Sequence, residues 1–244
     1  MPVIKNIPFK LDKKDVLQGL GMGARPSVRP EIDRLIDEAL QDEDILKLIQ
    51  PALAYEIYGI SRIEGDKCLL ENGTVFKGDS IPRVFPKAKS LAVAVATIGP
   101  ELEAKVTDCF KQGQRLKGLI LDAMGSSATE NMRFAIRDIL VKEVEKRGYT
   151  LSSPVSPGGA SWPITEQFKL FKLVPADSIG VRLTGTAMMV PRKSSSMVMG
   201  LGENMPTWSA TERCDMCLRG ADCPYRFQPE RQCENVDTHE SALR

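Results

Sequence analysis

The amino-acid sequence predicts an α+β fold, and three observations carry that reading. Residues 90–97, Ser-Leu-Ala-Val-Ala-Val-Ala-Thr, are a continuous apolar run of strand length, the mark of a central strand covered on both faces. Residues 116–146 carry apolar side chains at three- and four-residue spacing, the mark of a long amphipathic helix. Strand and helix patterns follow one another without the regular βα rhythm of a doubly wound fold. The chain holds no internal repeat and no low-complexity tract.

Taken in order, a short extended start leads into Lys13 to Leu20, one or two helical turns stopped by Gly21 and Gly23. Pro30 suits a first helical turn, with Glu31 beside it to complement the dipole. Ile32, Leu35, Ile36, Ala39 and Leu40 then mark one apolar face, and residues 42–50 are expected to continue the helix after a break. Ala52 to Ile63, rich in Tyr and Ile, reads as a strand. Cys68 to Phe76 reads as a hairpin, its Asn72-Gly73 pair suited to a type I′ turn. After the strand at 90–97 comes a helix from about Pro100 to Gln112, then the long helix from Leu116 to Lys146, with Gly148 as its stop. Residues 152–163 hold Pro154, Pro157 and Pro163, two glycines and four serines, so they form an irregular loop. A short helix from Pro163 to Leu173, a strand from Ile179 to Leu183 and a strand near Ser196 to Leu201 complete residues 1–205. Residues 206–244 are charged and cysteine-bearing, and read as an appended module.

Composition narrows the function. The 244 residues are 42% hydrophobic and 27% charged, ample for one sizeable core. Thirty-three Lys and Arg against 32 Asp and Glu leave a net charge of +1, which gives no bulk attraction to nucleic acid or an anionic membrane. The longest apolar stretches are too short to span a bilayer, and the N-terminus carries no apolar signal region, so a cytoplasmic protein is expected. The one histidine, His239, excludes Ser-His-Asp chemistry and an HExxH zinc helix from the body of the chain. Activity must run on carboxylates, thiolates, backbone groups or a borrowed cofactor.

Four segments hold candidate chemistry. Gly19-Leu-Gly21-Met-Gly23 follows no strand and matches no phosphate-binding pattern, so it reads as a helix stop. Asp122-Ala-Met-Gly125-Ser126-Ser127-Ala128-Thr-Glu130 places small residues, and two carboxylates about two turns apart, on the long helix. That pattern serves close packing or the approach of a ligand. The loop Pro154 to Gln167, with Pro157, Gly158, Gly159 and Trp162, offers free backbone donors and an aromatic side chain, and reads equally as a binding loop or a connector with Trp162 in the core. Thr184 to Gly200 clusters methionines around a turn, including Met188 and Met189, and reads as core strands. In the tail, Cys214, Cys217 and Cys223 are joined by Cys233. CxxC puts two sulfurs on one turn, and four thiolates suit tetrahedral zinc or a [4Fe–4S] cluster.

In combination, TIGPELE (97–103), LDAMGSSATE (121–130), SPGG followed by SWP and EQ (156–167) and IGVRLTGTAMMVPRKSSS (179–196) resemble the activation domain of cobalamin-dependent methionine synthase, especially its stand-alone relatives. The resemblance covers roughly residues 10–205. It implies a central, twisted, largely antiparallel sheet flanked by helices. It also implies a role in reactivating the corrinoid of a partner corrinoid-binding protein or methyltransferase, by methyl transfer from S-adenosylmethionine or by electron transfer. Some stand-alone relatives end in a comparable cysteine cluster. Glu130, the backbone around Gly158, and Ala187 to Met189 are the implied ligand contacts. The family's adenosylmethionine loop reads Arg-x-x-x-Gly-Tyr, and the matching positions here are Pro154, Gly158 and Gly159. Loss of that arginine removes a charge-assisted contact worth about 1.5–3 kcal/mol, which weakens the case for S-adenosylmethionine and leaves corrinoid docking largely untouched. An adaptor without catalysis, its tail stapled by zinc, is the alternative.

Overall fold

The computed structural model describes residues 2–8, 10–22, 28–146, 148–159, 162–215 and 226. A short strand, β1 (Val3–Lys5), precedes α1 (Lys13–Gly19), whose start is fixed by a reciprocal cap: Asp12 accepts from the Asp15 N–H, and Asp15 accepts from the Asp12 N–H. Gly21, at φ +69°, ends this turn of chain as expected. α2 (Pro30–Gln41) begins on its proline. The next helix, α3 (Glu43–Leu46), is a single turn capped by Asp42, so the helical stretch expected to reach residue 50 stops early.

The strands β2 (Ala52–Glu64), β3 (Lys67–Leu70) and β4 (Val75–Lys77) form a meander. The Asn-Gly turn between β3 and β4 differs from a two-residue type I′ loop. Gly73 takes φ +85°, its N–H donates to Leu70 O, and Leu70 N–H donates to Thr74 O, a longer turn closed through one left-handed residue. A one-turn α4 (Ile81–Val84) leads to β5 (Ser90–Thr97), followed by α5 (Glu101–Lys111) and the long α6 (Arg115–Glu145). Then come β6 (Thr150–Leu151), a 3-10 turn at Ile164–Glu166 and α7 (Gln167–Leu173). Where a strand was expected from residue 179, a second 3-10 turn (Ala176–Ile179) comes first. A small hairpin of β7 (Arg182–Leu183) and β8 (Met189–Val190) follows it. β9 (Ser194–Gly202) and α8 (Ala210–Asp215) end the described elements.

One antiparallel sheet of seven strands runs β4-β3-β2-β5-β9-β6, with β1 on the early half of β2. The alternation in β5 explains why both faces are covered. Ala92, Ala94 and Ala96 point to one core, shared with α1, α2, α5 and α6; Leu91, Val93 and Val95 point to a second, beneath α4 and α7. The small residues of α6 serve packing. A Cβ on Gly19 of α1 would lie 2.7 Å from Ser127 Oγ and 2.8 Å from Ala123 O, and Ser127 Oγ donates to Asp15 O at 2.7 Å. Within the methionine segment, Met197 and Met199 are fully buried, as core strands require, whereas Met188 is exposed. The expected boundary at residue 205 is not marked by a gap. Trp208 packs against the second core, and its N–H donates to Ser153 Oγ at 2.8 Å.

Candidate functional site

Beyond β6 the chain keeps to the open edge of β9. Ser152 N–H donates to Gly200 O, Val155 and Val198 exchange both backbone hydrogen bonds, and Ser156 Oγ donates to Ser196 O at 2.5 Å. Residues 150–156 thus act as an irregular edge strand, and the expected loop is shorter than its composition indicated. Three further backbone bonds then turn the chain at 156–162: Gly158 N–H to Trp162 O, Gly159 N–H to Ser156 O, and Trp162 N–H to Gly159 O. Gly158 takes φ +90°, a conformation that glycine accepts without strain.

This edge, α6 and residues 207–209 enclose a cleft of about 300 Å³. Glu130, Arg133, Phe134 and Arg137 line it from α6, Ser153 and Pro154 from the edge, and Thr207 to Ser209 from the far wall. Arg133 Nη1 donates to Glu130 Oε2 at 3.0 Å, while Arg133 Nε is shielded from solvent and has no hydrogen-bond partner among the described residues. Phe134 is 48% exposed, an unusual position for a large apolar ring. A second cavity of about 470 Å³ adjoins the first through Arg137 and Thr207, so the two form one groove along α6.

The sequence-predicted residues separate into three places. Glu130 lies in the cleft, with Pro154 opposite. Pro157 is buried in the turn that exposes Gly158 and Gly159. Trp162 is 3% exposed and lies in the second core, its ring edge-on to Phe76 at 5.5 Å and to Phe85 at 6.4 Å, so the connector reading describes it. Ala187 (φ +62°) and Met188 form the tip of the β7–β8 hairpin, and Met189 pairs with Leu183. Gln167 joins these regions: its Oε1 accepts from Ser196 Oγ at 2.5 Å, and its Nε2 donates to Ala187 O at 3.4 Å. Around that clamp Ile164, Phe168 and Met188 are 40%, 38% and 56% exposed. Asp122, the other carboxylate of the long helix, is engaged by Lys193 Nζ at 2.9 Å, and Lys193 also donates to Ser126.

Sequence reasoning passed over Arg133, Phe134, Arg137, Ser153 and Trp208. The available signal was Arg-Phe-Ala-Ile-Arg at 133–137, which sets two guanidiniums one turn apart on the outer face of a helix. In the tail, Cys214 ends up half-buried in α8, and Cys217, Cys223 and Cys233 lie outside the described residues. Among the described residues no three His, Cys, Asp or Glu side chains come together as a metal site, and no helix is long and apolar enough to cross a membrane.

No protein-family model matches the chain, and no curated protein does. Among solved structures it is similar to the crystal structure of the MetH reactivation domain bound to AdoHcy. The match has a TM-score of 0.64 and 15% identity, covering 88% of this chain and 84% of that one. At that identity the likeness establishes the fold: α+β, with an antiparallel sheet flanked by helices.

Proposed function

We propose that the protein reactivates a corrinoid carried by a partner protein of a methyltransferase system. The observation that carries the reading is the match, over most of the chain, to a domain whose own name is reactivation and which binds AdoHcy. Here the corresponding fold opens a cleft at Glu130 and the Ser153–Pro154 edge. Beside it, the turn at Gly158–Gly159 and the exposed Ile164, Phe168 and Met188 offer an apolar rim suited to a macrocycle held by the partner. The chain's part is to bind, orient and exclude water; the corrinoid cobalt supplies the redox and methyl-transfer chemistry. A Co(II) corrinoid protein, a reductant and this protein are mixed and the corrinoid spectrum is followed. Faster loss of the Co(II) bands than with reductant alone is expected, and no acceleration removes the reading.

In this proposal Cys214, Cys217, Cys223 and Cys233 hold a metal centre, because four thiols within a segment too poor in apolar residues for its own core gain folding energy from coordination. A [4Fe–4S] cluster would supply electron transfer; zinc would supply only a staple. Iron, sulfide and zinc analysis after anaerobic purification separates them: about four irons, about one zinc. Neither metal, with four freely titrating thiols, refutes the centre. Proline at position 154 favours the second reading, a non-catalytic adaptor for the corrinoid protein. Zinc together with no acceleration of Co(II) loss would select it.

A further inference from the structure

Strand β2 runs past the neighbour that covers one of its sides. β5 pairs with residues 52–59, whereas β3, on the opposite side, pairs with residues 60–64. Beyond Gly59 the β5 side of β2 is therefore an uncovered edge. The chain that leads into β5 does not close it. Ile60 N–H donates to Lys89 O and Lys89 N–H donates to Leu201 O, so Lys89 is stapled between β2 and β9. The residues before it cross over the end of β9 instead, where a Cβ on Gly202 would lie 2.6 Å from Lys87 O. A groove of about 510 Å³ results, lined by residues 60–63, residues 86–89 and Glu203.

Register decides which backbone groups face this groove. Gly78 N–H donates to Asp66 O and Leu70 N–H to Thr74 O, so the even residues of β3 bond towards β4, and Lys67 and Leu69 bond towards β2. Their partners Glu64 and Arg62 are engaged by β3. Ile63, between them, turns its N–H and C=O into the groove. The bulge between Ile60 and Arg62 brings the Ile60 and Ile63 side chains to one face, where both are half-buried against the second core.

We propose that this edge is a docking strip for an extended, acidic segment of a partner protein, added as a further strand beside β2. Main-chain bonds to Ile63 align the segment, and its alternate apolar side chains meet Ile60 and Ile63. Charge selects the occupant. Arg62 is taken up by Glu64 at 3.5 Å, which leaves Lys87 and Lys89, both exposed and outside any ion pair among the described residues, against Glu203. Two lysines and Pro86 beside an open edge repel a second copy of the same edge and attract a strand that carries carboxylates. The strip shares no residue with the cleft or its adjoining cavity, so the assignment stands apart from corrinoid reactivation.

Fluorescence anisotropy of the labelled peptide Glu-Val-Glu-Val-Glu with the full chain at low ionic strength tests this. The peptide is expected to bind, and Lys-Val-Lys-Val-Lys to bind at least about 10-fold more weakly. Lys87→Glu combined with Lys89→Glu should weaken the acidic peptide by roughly 10-fold, and by less in 1 M salt. Thermal melts of that variant should match the wild type, since neither lysine side chain is engaged. N-methylation of the acidic peptide, at both valines or at the central glutamate, should cost about 10-fold in at least one of the two forms, because a strand turns only alternate N–H groups to its neighbour. An acidic peptide that does not bind overturns the assignment. So does a basic peptide that binds equally well, or a pair of N-methylated forms that both bind like the parent. Sedimentation velocity of the wild type alone is run beside these measurements: a monomer is expected, and a dimer that the acidic peptide dissolves would give the edge to a second copy and overturn the assignment.

Discussion

Glu166 offers a sharp test of how the candidate site is held. It is the last residue of the 3-10 turn before α7, and its side chain is only 9% exposed. Oε2 accepts the backbone N–H of Lys77 at 3.0 Å, tying the turn to β4, and Oε1 receives Lys169 Nζ at 2.7 Å. Glu166→Ala leaves the Lys77 N–H without its acceptor, a cost of about 1–3 kcal/mol. Lys169 is 41% exposed and keeps its bond to Val75 O, so its share is at most about 1 kcal/mol. Removing a buried charge returns some desolvation energy, which offsets the Lys169 share, so the net loss is about 1–3 kcal/mol. Glu166→Gln keeps an acceptor for Lys77 and should lose only about 1 kcal/mol. Urea unfolding followed by circular dichroism measures both, with an unchanged slope as the sign that the comparison is fair. An alanine variant within about 0.5 kcal/mol of wild type would refute the reasoning, as would a glutamine variant as unstable as the alanine one.

Other positions give independent outcomes. Gly19→Ala should cost about 1–3 kcal/mol in the same assay, because the new Cβ would lie 2.7–2.8 Å from Ser127 Oγ and the Ala123 carbonyl; a neutral effect would show that α1 can slide on α6. Burial raises the Cys68 thiol from 9.0 to about 11. The folded state therefore favours the neutral thiol, the stabilisation is full below pH 9, and it falls as pH rises towards 11. Stability measured by urea from pH 8 to 11 should decline more steeply in wild type than in Cys68→Ala; parallel profiles would contradict this. Lys13 Nζ bridges Asp33 and Asp37 of α2 at 2.8 Å each, and its pKa is raised chiefly by its hydrogen bond to Asp33 and then by Asp37. Lys13→Met should lower stability in the urea assay only slightly, and its difference from wild type should shrink in 1 M salt; a difference that salt leaves unchanged would contradict the ion-pair account.

The sheet was legible because its signals are local. The run 90–97 predicts a doubly covered strand, and the alternation of alanine with leucine and valine sorts its residues into the two cores observed. The long helix was legible from spacing, within a residue of each end. What escaped was set by distant pairing. Residues 152–156 look like a proline-serine loop, and only the exposed edge of β9, some forty residues on, makes them a strand. Periodicity states which side of α6 meets the core. It is silent on what covers the opposite side, so Arg133, Phe134 and Arg137 read as a solvated face until residues 207–209 wall them in. Trp162 could be placed either way by composition, and its ring contacts with Phe76 and Phe85 decide for the core.

Pro154 joins the edge of the sheet to the chemistry of the cleft. An outermost strand exposes unpaired N–H and C=O groups to any other chain, and proline there removes one donor and interrupts pairing. The same side chain forms part of the cleft wall, so a residue chosen to close the edge cannot also hold an anion. The guanidiniums sit across the gap on α6, a rigid thirty-one-residue helix packed against α1 and α5. The edge strand thus sets the shape of the cleft through Ser153 and Pro154, while its charged side chains all come from the helix, so the two can vary independently.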